Sequence, residues 1–122
     1  MYKNCQYISV NIPANADTTG SVNYDLMSLM PQGATIVNTA RAEVIDDKSL
    51  LKMFEKRIDF RYLSDVAPSV KDEIVARFEN RYFCTPKKMG AQTEEANINA
   101  GLAAAKQIVN YFKKGDTTFQ VN

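Results

Sequence analysis

Residues that could bind or transform an anionic acid follow three separate apolar runs of the sequence. Arg41 follows the first run, Asp65 closes the second, and Lys87 and Lys88 follow the third. A planar guanidinium can hold a carboxylate or phosphate through two parallel hydrogen bonds. A lysine can accept a proton when burial or neighbouring positive charge lowers its pKa from about 10.4 toward about 7–8. These residue types therefore predict a site for an anionic ligand.

Each of these residues also has a simpler interpretation. An arginine after a strand is often solvated or ion-paired, an aspartate there can be a turn or cap residue, and two lysines in a loop are commonly solvated. Their common position favours a shared site. If the three runs are parallel strands, their carboxyl ends meet at one edge of the sheet, where such sheets bind ligands.

The composition excludes several other kinds of chemistry. There is no histidine among the 122 residues, so His-based triads and metal sites that need an imidazole are excluded, and we expect no metal. Fifteen basic and fourteen acidic residues give a net charge of +1, which argues against a nucleic-acid partner. The 45% hydrophobic content is typical of one globular domain.

The location of the protein is predicted from its termini and cysteines. No apolar run has the length of a signal peptide or of a membrane span, so we expect no membrane association. Cys5 and Cys84 lie far apart in apolar stretches and form no C-x-x-C motif, which indicates small buried hydrophobic residues in a reducing compartment. Together these features predict a cytoplasmic protein.

Strand and helix patterns alternate about four times, which predicts an α/β fold with a parallel sheet. We expect strands at residues 6–12, 34–38, 60–66 and 81–84. Between them we expect helices that begin after Asn23, Asp46 and Ser69, and a long amphipathic helix that begins at Thr93. A terminal strand is expected at residues 117–121. The five glycines form no G-x-G-x-x-G motif, so no phosphate cradle is visible.

Three stretches of the sequence resemble a known family. They are VNIPANADTTGSVNYDLMSLMPQGATIVNTARAEVID (10–46), YLSDV (62–66) and TPKKMGAQTEEA (85–96). They resemble the second half of the coenzyme domain of the D-isomer-specific 2-hydroxyacid dehydrogenases, most of all the 3-phosphoglycerate dehydrogenase branch. NTAR-x-E-V-[IV]-D is a specific signature of that family. The resemblance implies a partial Rossmann-type sheet, NAD as cofactor, a small anionic 2-hydroxy acid as substrate, a role in serine biosynthesis and a homodimer.

The resemblance also implies roles for particular residues. Arg41 matches the arginine that binds the substrate carboxylate. Thr39 and Ala40 match the loop beside the nicotinamide ribose, and Asp65 matches the carboxylate that faces the nicotinamide carboxamide. Pro13 matches a turn near the adenosine.

The sequence departs from the family pattern at the acid/base residue. The family usually has histidine after Thr-Pro, whereas this chain has lysine, as in the short phosphoglycerate dehydrogenases. Alignment on Pro86 selects Lys87, while counting back from Gly90, an expected cofactor contact, selects Lys88; we prefer Lys87. The family's glutamate has no clear match, and its usual glycine after the arginine is Ala42.

The resemblance covers only part of the family's length. We expect residues 1–92 to be the second half of an NAD-binding domain, and residues 93–122 to be a helix and strand that return to the substrate domain. The first half and most of the substrate domain are absent, which predicts a cloned or truncated fragment that is inactive alone. The alternative is a stand-alone α/β binding or assembly module that performs no catalysis.

Overall fold

The computed structural model describes residues 1–86 and 93–121. The chain divides into two compact units. We refer to Met1–Lys88 as the sheet unit and to Met89–Asn122 as the helical unit. The assignment of residues 1–92 and 93–122 to two dehydrogenase domains stays a prediction.

The sheet unit contains four parallel strands in the order β1-β2-β3-β4. The strands are β1 (Tyr7–Val10), β2 (Thr35–Asn38), β3 (Arg61–Ser64) and β4 (Tyr82–Cys84). Each lies within, and is shorter than, the strand that the sequence predicts. The α/β fold with a partial Rossmann-type parallel sheet is therefore confirmed.

Three helices connect the strands: α1 (Tyr24–Ser28), α2 (Asp47–Lys56) and α3 (Lys71–Phe78). The predicted caps of the first two are confirmed, because the side chain of Asn23 accepts from the Leu26 amide and that of Asp46 from the Ser49 amide. Both bonds satisfy amides that a helix cannot pair internally. The expected cap at Ser69 differs, since its hydroxyl donates to the carboxylate of Asp47.

The core lies between one face of the sheet and the three helices. Alternate residues of the strands, including Ile8, Ile36 and Tyr62, are buried there together with side chains of the helices. The centroid of the Phe54 ring lies 5.3 Å from that of Phe60 in an edge-on arrangement. The opposite face is open at its two edges, where Tyr7 is 70% exposed and Phe83 is 58% exposed.

An ion pair holds the amino ends of β2 and β3 together. The Nη2 atom of Arg57 lies 2.5 Å from Oδ2 of Asp59, which also accepts from the Gly33 amide. The guanidinium donates to the carbonyls of Met30 and Pro31 as well. These bonds, first the one from Arg57, lower the pKa of Asp59 from 3.8 to about 2.

The helical unit consists of α4 (Glu94–Lys114) and the turn after it. Thr93 caps the helix through the Ala96 amide, and Gly115 ends it with a left-handed φ of 65°. The predicted strand at residues 117–121 is wrong. The segment forms a turn in which the Gln120 amide donates to the Thr117 carbonyl, because Asp116 accepts from the amide and hydroxyl of Thr118.

Two further expectations concern the cysteines and the membrane. Cys5 and Cys84 are free thiols, but both are half-buried rather than fully buried. No helix in the described part of the chain combines the length and apolarity that crossing a membrane requires.

Candidate active site at the strand ends

Four polar residues form a row across the carboxyl edge of the sheet. They are the first residues after the four strands, and we refer to them as the strand-end row: Asn11, Thr39, Asp65 and Thr85. The row is level because the last residues of neighbouring strands are register partners, Val10 with Asn38, Asn38 with Ser64, and Ser64 with Cys84. This is the edge where parallel sheets bind ligands.

Hydrogen bonds join the strand-end row in two pairs. The hydroxyl of Thr39 donates to Oδ1 of Asn11 at 3.1 Å, and the hydroxyl of Thr85 donates to Oδ1 of Asp65 at 2.6 Å. The sheet also continues one step into the row, because the Asp65 amide donates to the Asn38 carbonyl and the Thr85 amide to the Ser64 carbonyl. Asp65 and Thr85 are therefore held by both backbone and side chain.

The loop that carries Arg41 is shaped by the last residue of β2. Asn38 is fully buried, its side-chain carbonyl accepts from the Ala40 amide at 3.0 Å, and its amide donates to the Arg41 carbonyl at 2.9 Å. The Arg41 side chain is exposed and donates to the Ala40 carbonyl. The buried Asn38 side chain therefore fixes the backbone of the loop, while the Arg41 guanidinium is exposed to solvent and can bind a ligand.

A groove of about 380 Å³ lies between the β1 and β2 ends of this edge. Its lining includes Pro13, Thr39, Ala40 and Arg41, four of the residues predicted for the site. The structure thus brings these four together. Asp65 lies on the same edge after the next strand, but it does not line the groove.

Side-chain and backbone hydrogen bonds fix the Pro13 loop beside the Arg41 loop. Asn15 accepts from the Asp17 and Thr18 amides, and the Thr18 hydroxyl donates to the Pro13 carbonyl at 2.6 Å. Further along, the Gly20 amide donates to the Glu43 carbonyl at 2.8 Å. The groove is therefore bounded by two loops that are bonded to each other.

A buried polar network lies under the strand-end row. The Tyr62 hydroxyl accepts from the Asn38 side-chain amide at 3.1 Å, and the Tyr82 hydroxyl lies 3.4 Å from the hydroxyl of Ser64. The two tyrosine rings stack with centroids 5.9 Å apart. Burial raises the pKa of Tyr62 to about 12 and also raises the pKa of Tyr82. Both phenols are therefore neutral donors or acceptors at ordinary pH.

Three residues predicted for the site, Lys87, Lys88 and Gly90, lie outside the described residues. Of that loop, the structure describes Thr85, in the strand-end row, and Pro86. The roles predicted for the lysines and for Gly90 remain predictions.

Sequence reasoning missed three residues of this edge: Asn11, Asn38 and Thr85. In the sequence, Asn38 is the last residue of an apolar strand pattern. A signal was present, because an amide within a buried run such as ATIVN needs hydrogen-bond partners, and the nearest ones are in the loop that follows.

Comparison with known proteins identifies the family. Residues 1–86 match the family model described as "D-isomer specific 2-hydroxyacid dehydrogenase, NAD binding domain". The chain belongs to the D-isomer-specific 2-hydroxyacid dehydrogenases. These are NAD-dependent oxidoreductases, and NAD is the cofactor of this domain.

Similar proteins of this family include several named as phosphoglycerate dehydrogenases. The chain is 32% identical over 106 residues to the chloroplastic D-3-phosphoglycerate dehydrogenase 3 of Arabidopsis thaliana, covering 84% of this chain and 18% of that protein. It is 28% identical over 129 residues to the D-3-phosphoglycerate dehydrogenase of Haemophilus influenzae, covering all of this chain and 31% of that protein. The chain thus spans less than a third of the length of these relatives.

A solved structure of a 3-phosphoglycerate dehydrogenase is also similar to this chain. The NAD⁺-bound 3-phosphoglycerate dehydrogenase of Entamoeba histolytica is 45% identical, with a TM-score of 0.85, and the match covers 99% of this chain and 40% of that protein. We refer to that protein as the Entamoeba enzyme.

The residues of the groove fit one part of NAD. Thr39 and Ala40 offer a hydroxyl and backbone polar groups beside a partly apolar wall formed by Ile12, Pro13 and Ala14. Such a mixture suits a sugar and a ring better than a pyrophosphate. The chain contains no glycine-rich phosphate motif, so the fit covers the nucleoside parts of the cofactor and not its pyrophosphate.

Proposed function

We propose that this chain is the NAD-binding part of a 3-phosphoglycerate dehydrogenase. The enzyme oxidises the hydroxyl of 3-phosphoglycerate to give 3-phosphohydroxypyruvate, in serine biosynthesis, and is a cytoplasmic homodimer. The observation that carries the proposal is the placement of Arg41 at the same sheet edge as the strand-end row, beside the groove that contains Thr39 and Ala40. Membership of the family and the 45% identity to the Entamoeba enzyme support it.

Arg41 binds the substrate carboxylate in this proposal. Its guanidinium is exposed at the groove, and its recorded hydrogen bond within the described residues goes only to the neighbouring Ala40 carbonyl. Several N–H groups are thus available for two parallel bonds to a carboxylate. These bonds would hold the acid at the groove by its carboxylate.

Lys87 accepts the proton of the substrate hydroxyl. NAD, when bound, supplies the acceptor for the hydride that leaves C2. The lysine needs no partner that selects a tautomer, in contrast to histidine, and a neighbouring carboxylate would raise its pKa, which is unfavourable for a base. The positive charge of Lys88, its neighbour in the sequence, acts in the favourable direction. Lys88 is the alternative base.

The remaining residues position the cofactor. Asp65 would accept a hydrogen bond from the nicotinamide carboxamide, and its bond from Thr85 fixes the orientation of the carboxylate. Thr39 and Ala40 would contact the nicotinamide ribose, Pro13 would lie near the adenosine, and Gly90 would be a further contact. The chain alone binds NAD weakly and is inactive, because the pyrophosphate site and the substrate phosphate site lie mainly outside it.

A chimeric enzyme tests the proposal. This chain replaces the matching 40% of the Entamoeba enzyme, and turnover of 3-phosphoglycerate is measured with NAD. A chimera that folds and binds NAD but does not oxidise 3-phosphoglycerate would contradict the proposed substrate.

Single substitutions in the chimera then test the roles. Arg41→Ala should raise KM at least tenfold, whereas Lys87→Ala should lower kcat at least a hundredfold with little change in KM. Lys88→Ala is the matched control and should stay within threefold of the parent. The reverse pattern for the two lysines would make Lys88 the base, and normal turnover in both variants would eliminate a lysine base.

A further inference from the structure

We infer that Asn38 is a positioning residue for Arg41, acting through the backbone of residues 39–41. The inference rests on the proposed role of Arg41 in carboxylate binding. It concerns a side chain that is fully buried and does not line the groove. Its three hydrogen bonds carry the argument.

The orientation of the Asn38 amide is determined by its partners. The Ala40 amide can only donate, so it must face the side-chain oxygen, and the Arg41 carbonyl can only accept, so it must face the side-chain nitrogen. The two bonds measure 3.0 Å and 2.9 Å. One planar group thus fixes the backbone on both sides of the Ala40–Arg41 peptide.

A third bond connects this amide to the next strand. The second N–H of Asn38 donates to the Tyr62 hydroxyl at 3.1 Å, and Tyr62 is itself fully buried and stacked on Tyr82. The amide plane therefore cannot rotate without breaking a bond inside the core. The loop of Arg41 is attached to β3 and not only to its own strand.

This attachment affects Arg41 because its side chain is long and exposed. The side chain can reach many positions, and binding a carboxylate through two parallel bonds requires one of them. A fixed backbone at residue 41 holds the Cα atom of Arg41 in place. The side chain then loses less conformational entropy when it binds a ligand. Loss of Asn38 should therefore weaken substrate binding and leave the proton transfer nearly intact.

Kinetics of the chimera test this separation. Asn38→Ala should raise the KM for 3-phosphoglycerate about tenfold while kcat stays within threefold, and Tyr62→Phe should raise KM less, because both loop bonds remain. Ser64→Ala is the matched control, since Ser64 is also buried and is the register partner of Asn38 but its side chain does not bond to the loop. A merely structural role would lower thermal stability and the active fraction in all three variants and leave KM unchanged.

A double-mutant cycle decides whether Asn38 acts through Arg41. In the Arg41→Ala background, Asn38→Ala should add less than a twofold change in KM. Independent effects that multiply would overturn the inference while leaving the proposed function intact. If Arg41→Ala itself leaves KM unchanged, the proposed function fails instead.

A second measurement uses the chain itself and needs no turnover. Hydrogen exchange of the Ala40 amide, followed by NMR, should accelerate at least tenfold in Asn38→Ala and stay near the parent value in Ser64→Ala. Unchanged exchange at Ala40 would overturn the inference whatever the chimera does.

Discussion

The arginines of the sheet unit differ in how fully their donors are used. Arg57 donates to two backbone carbonyls and to Asp59, and Arg81 donates to the carbonyls of Arg57 and Phe54. Arg41 has one recorded bond within the described residues, to an adjacent carbonyl. A half-buried guanidinium that donates to backbone carbonyls of several segments stabilises the fold, whereas an exposed one at a groove with a single bond can bind an anion. The type of residue is the same, and its partners determine which role it has.

Replacement of Asp59 should change the dependence of stability on pH. The folded pKa of about 2 lies below the ordinary value of 3.8, so the contribution of Asp59 is complete above about pH 4 and is lost as the pH falls toward 2. Asp59→Asn should lower the free energy of unfolding at pH 7 by about 1–2 kcal/mol, because it removes a charge-assisted bond to Arg57. Urea unfolding from pH 7 to pH 2 measures both curves.

The two curves for this substitution should converge near pH 2. Asp17→Asn is the control, since it makes the same chemical change in an exposed loop, and it should alter stability by less than about 0.5 kcal/mol. If the stability curves of the parent and Asp59→Asn coincided over the whole pH range, the ion pair would contribute nothing to stability.

At the level of elements, the local signals that begin and end helices were reliable except at Ser69, whose hydroxyl bonds to Asp47 instead of capping α3. Asn23, Asp46 and Thr93 cap helices as their types predict, and Gly115 ends α4 in a left-handed conformation. Each of these signals works within four residues and needs no tertiary partner. The predictions that failed were the cap at Ser69 and the strand at residues 117–121. Ser69 bonds to a residue distant in the sequence, and residues 117–121 form local bonds instead of pairing with another strand.

Residues 117–121 show why the terminal strand was wrong. The segment has the β-branched and aromatic composition of a strand, but a strand requires a neighbour, and the recorded bonds of Thr118 go to Asp116. The candidate site likewise depends on contacts between residues that are distant in the sequence. Parallel order predicted which loops share an edge, whereas the contacts of Asn38 with Tyr62 and of Asp65 with Thr85 join residues 24 and 20 positions apart that no local pattern connects.

Two glycines of α4 provide a matched pair of substitutions. A methyl group added at Gly101 or at Gly115 meets nothing within 4 Å, so only the backbone conformation differs. Gly101→Ala should stabilise the helix by about 1 kcal/mol, because Gly101 lies within the helix. Gly115→Ala should destabilise its end by about 1 kcal/mol, because the φ of 65° is unfavourable for alanine.

Circular dichroism at 222 nm during thermal unfolding measures both variants against the parent chain. The midpoints should move in opposite directions. If both substitutions raised the helical signal equally, the left-handed end at Gly115 would not persist in solution.

At the scale of the molecule, the sheet unit is a two-layer structure with one open sheet face. Parallel sheets are normally covered on both faces. Here Tyr7 and Phe83 stay largely exposed at the two edge strands, while Ile8 and Tyr62 on the other face are buried. The Entamoeba enzyme is longer, since the match covers only 40% of it. Exposed apolar surface of this kind favours association.

We expect the purified chain to self-associate through this face. Tyr7→Lys combined with Phe83→Lys should shift the chain toward monomer in sedimentation velocity at micromolar concentration, because burial of each ring contributes about 1.5–3 kcal/mol. Ile58→Lys is the control, since Ile58 is 87% exposed elsewhere on the sheet unit. If the double variant associates like the parent and Ile58→Lys does not, a different surface is responsible.

The level ends of the four strands determine where insertions and deletions can be tolerated. A residue added to one of the connecting helices or turns changes a crossover but leaves Val10, Asn38, Ser64 and Cys84 side by side. A residue added inside a strand would displace the following side chain by one position and direct it to the opposite face. Length variation among homologues should therefore accumulate in the crossovers, while the spacing from each strand to its first loop residue stays constant.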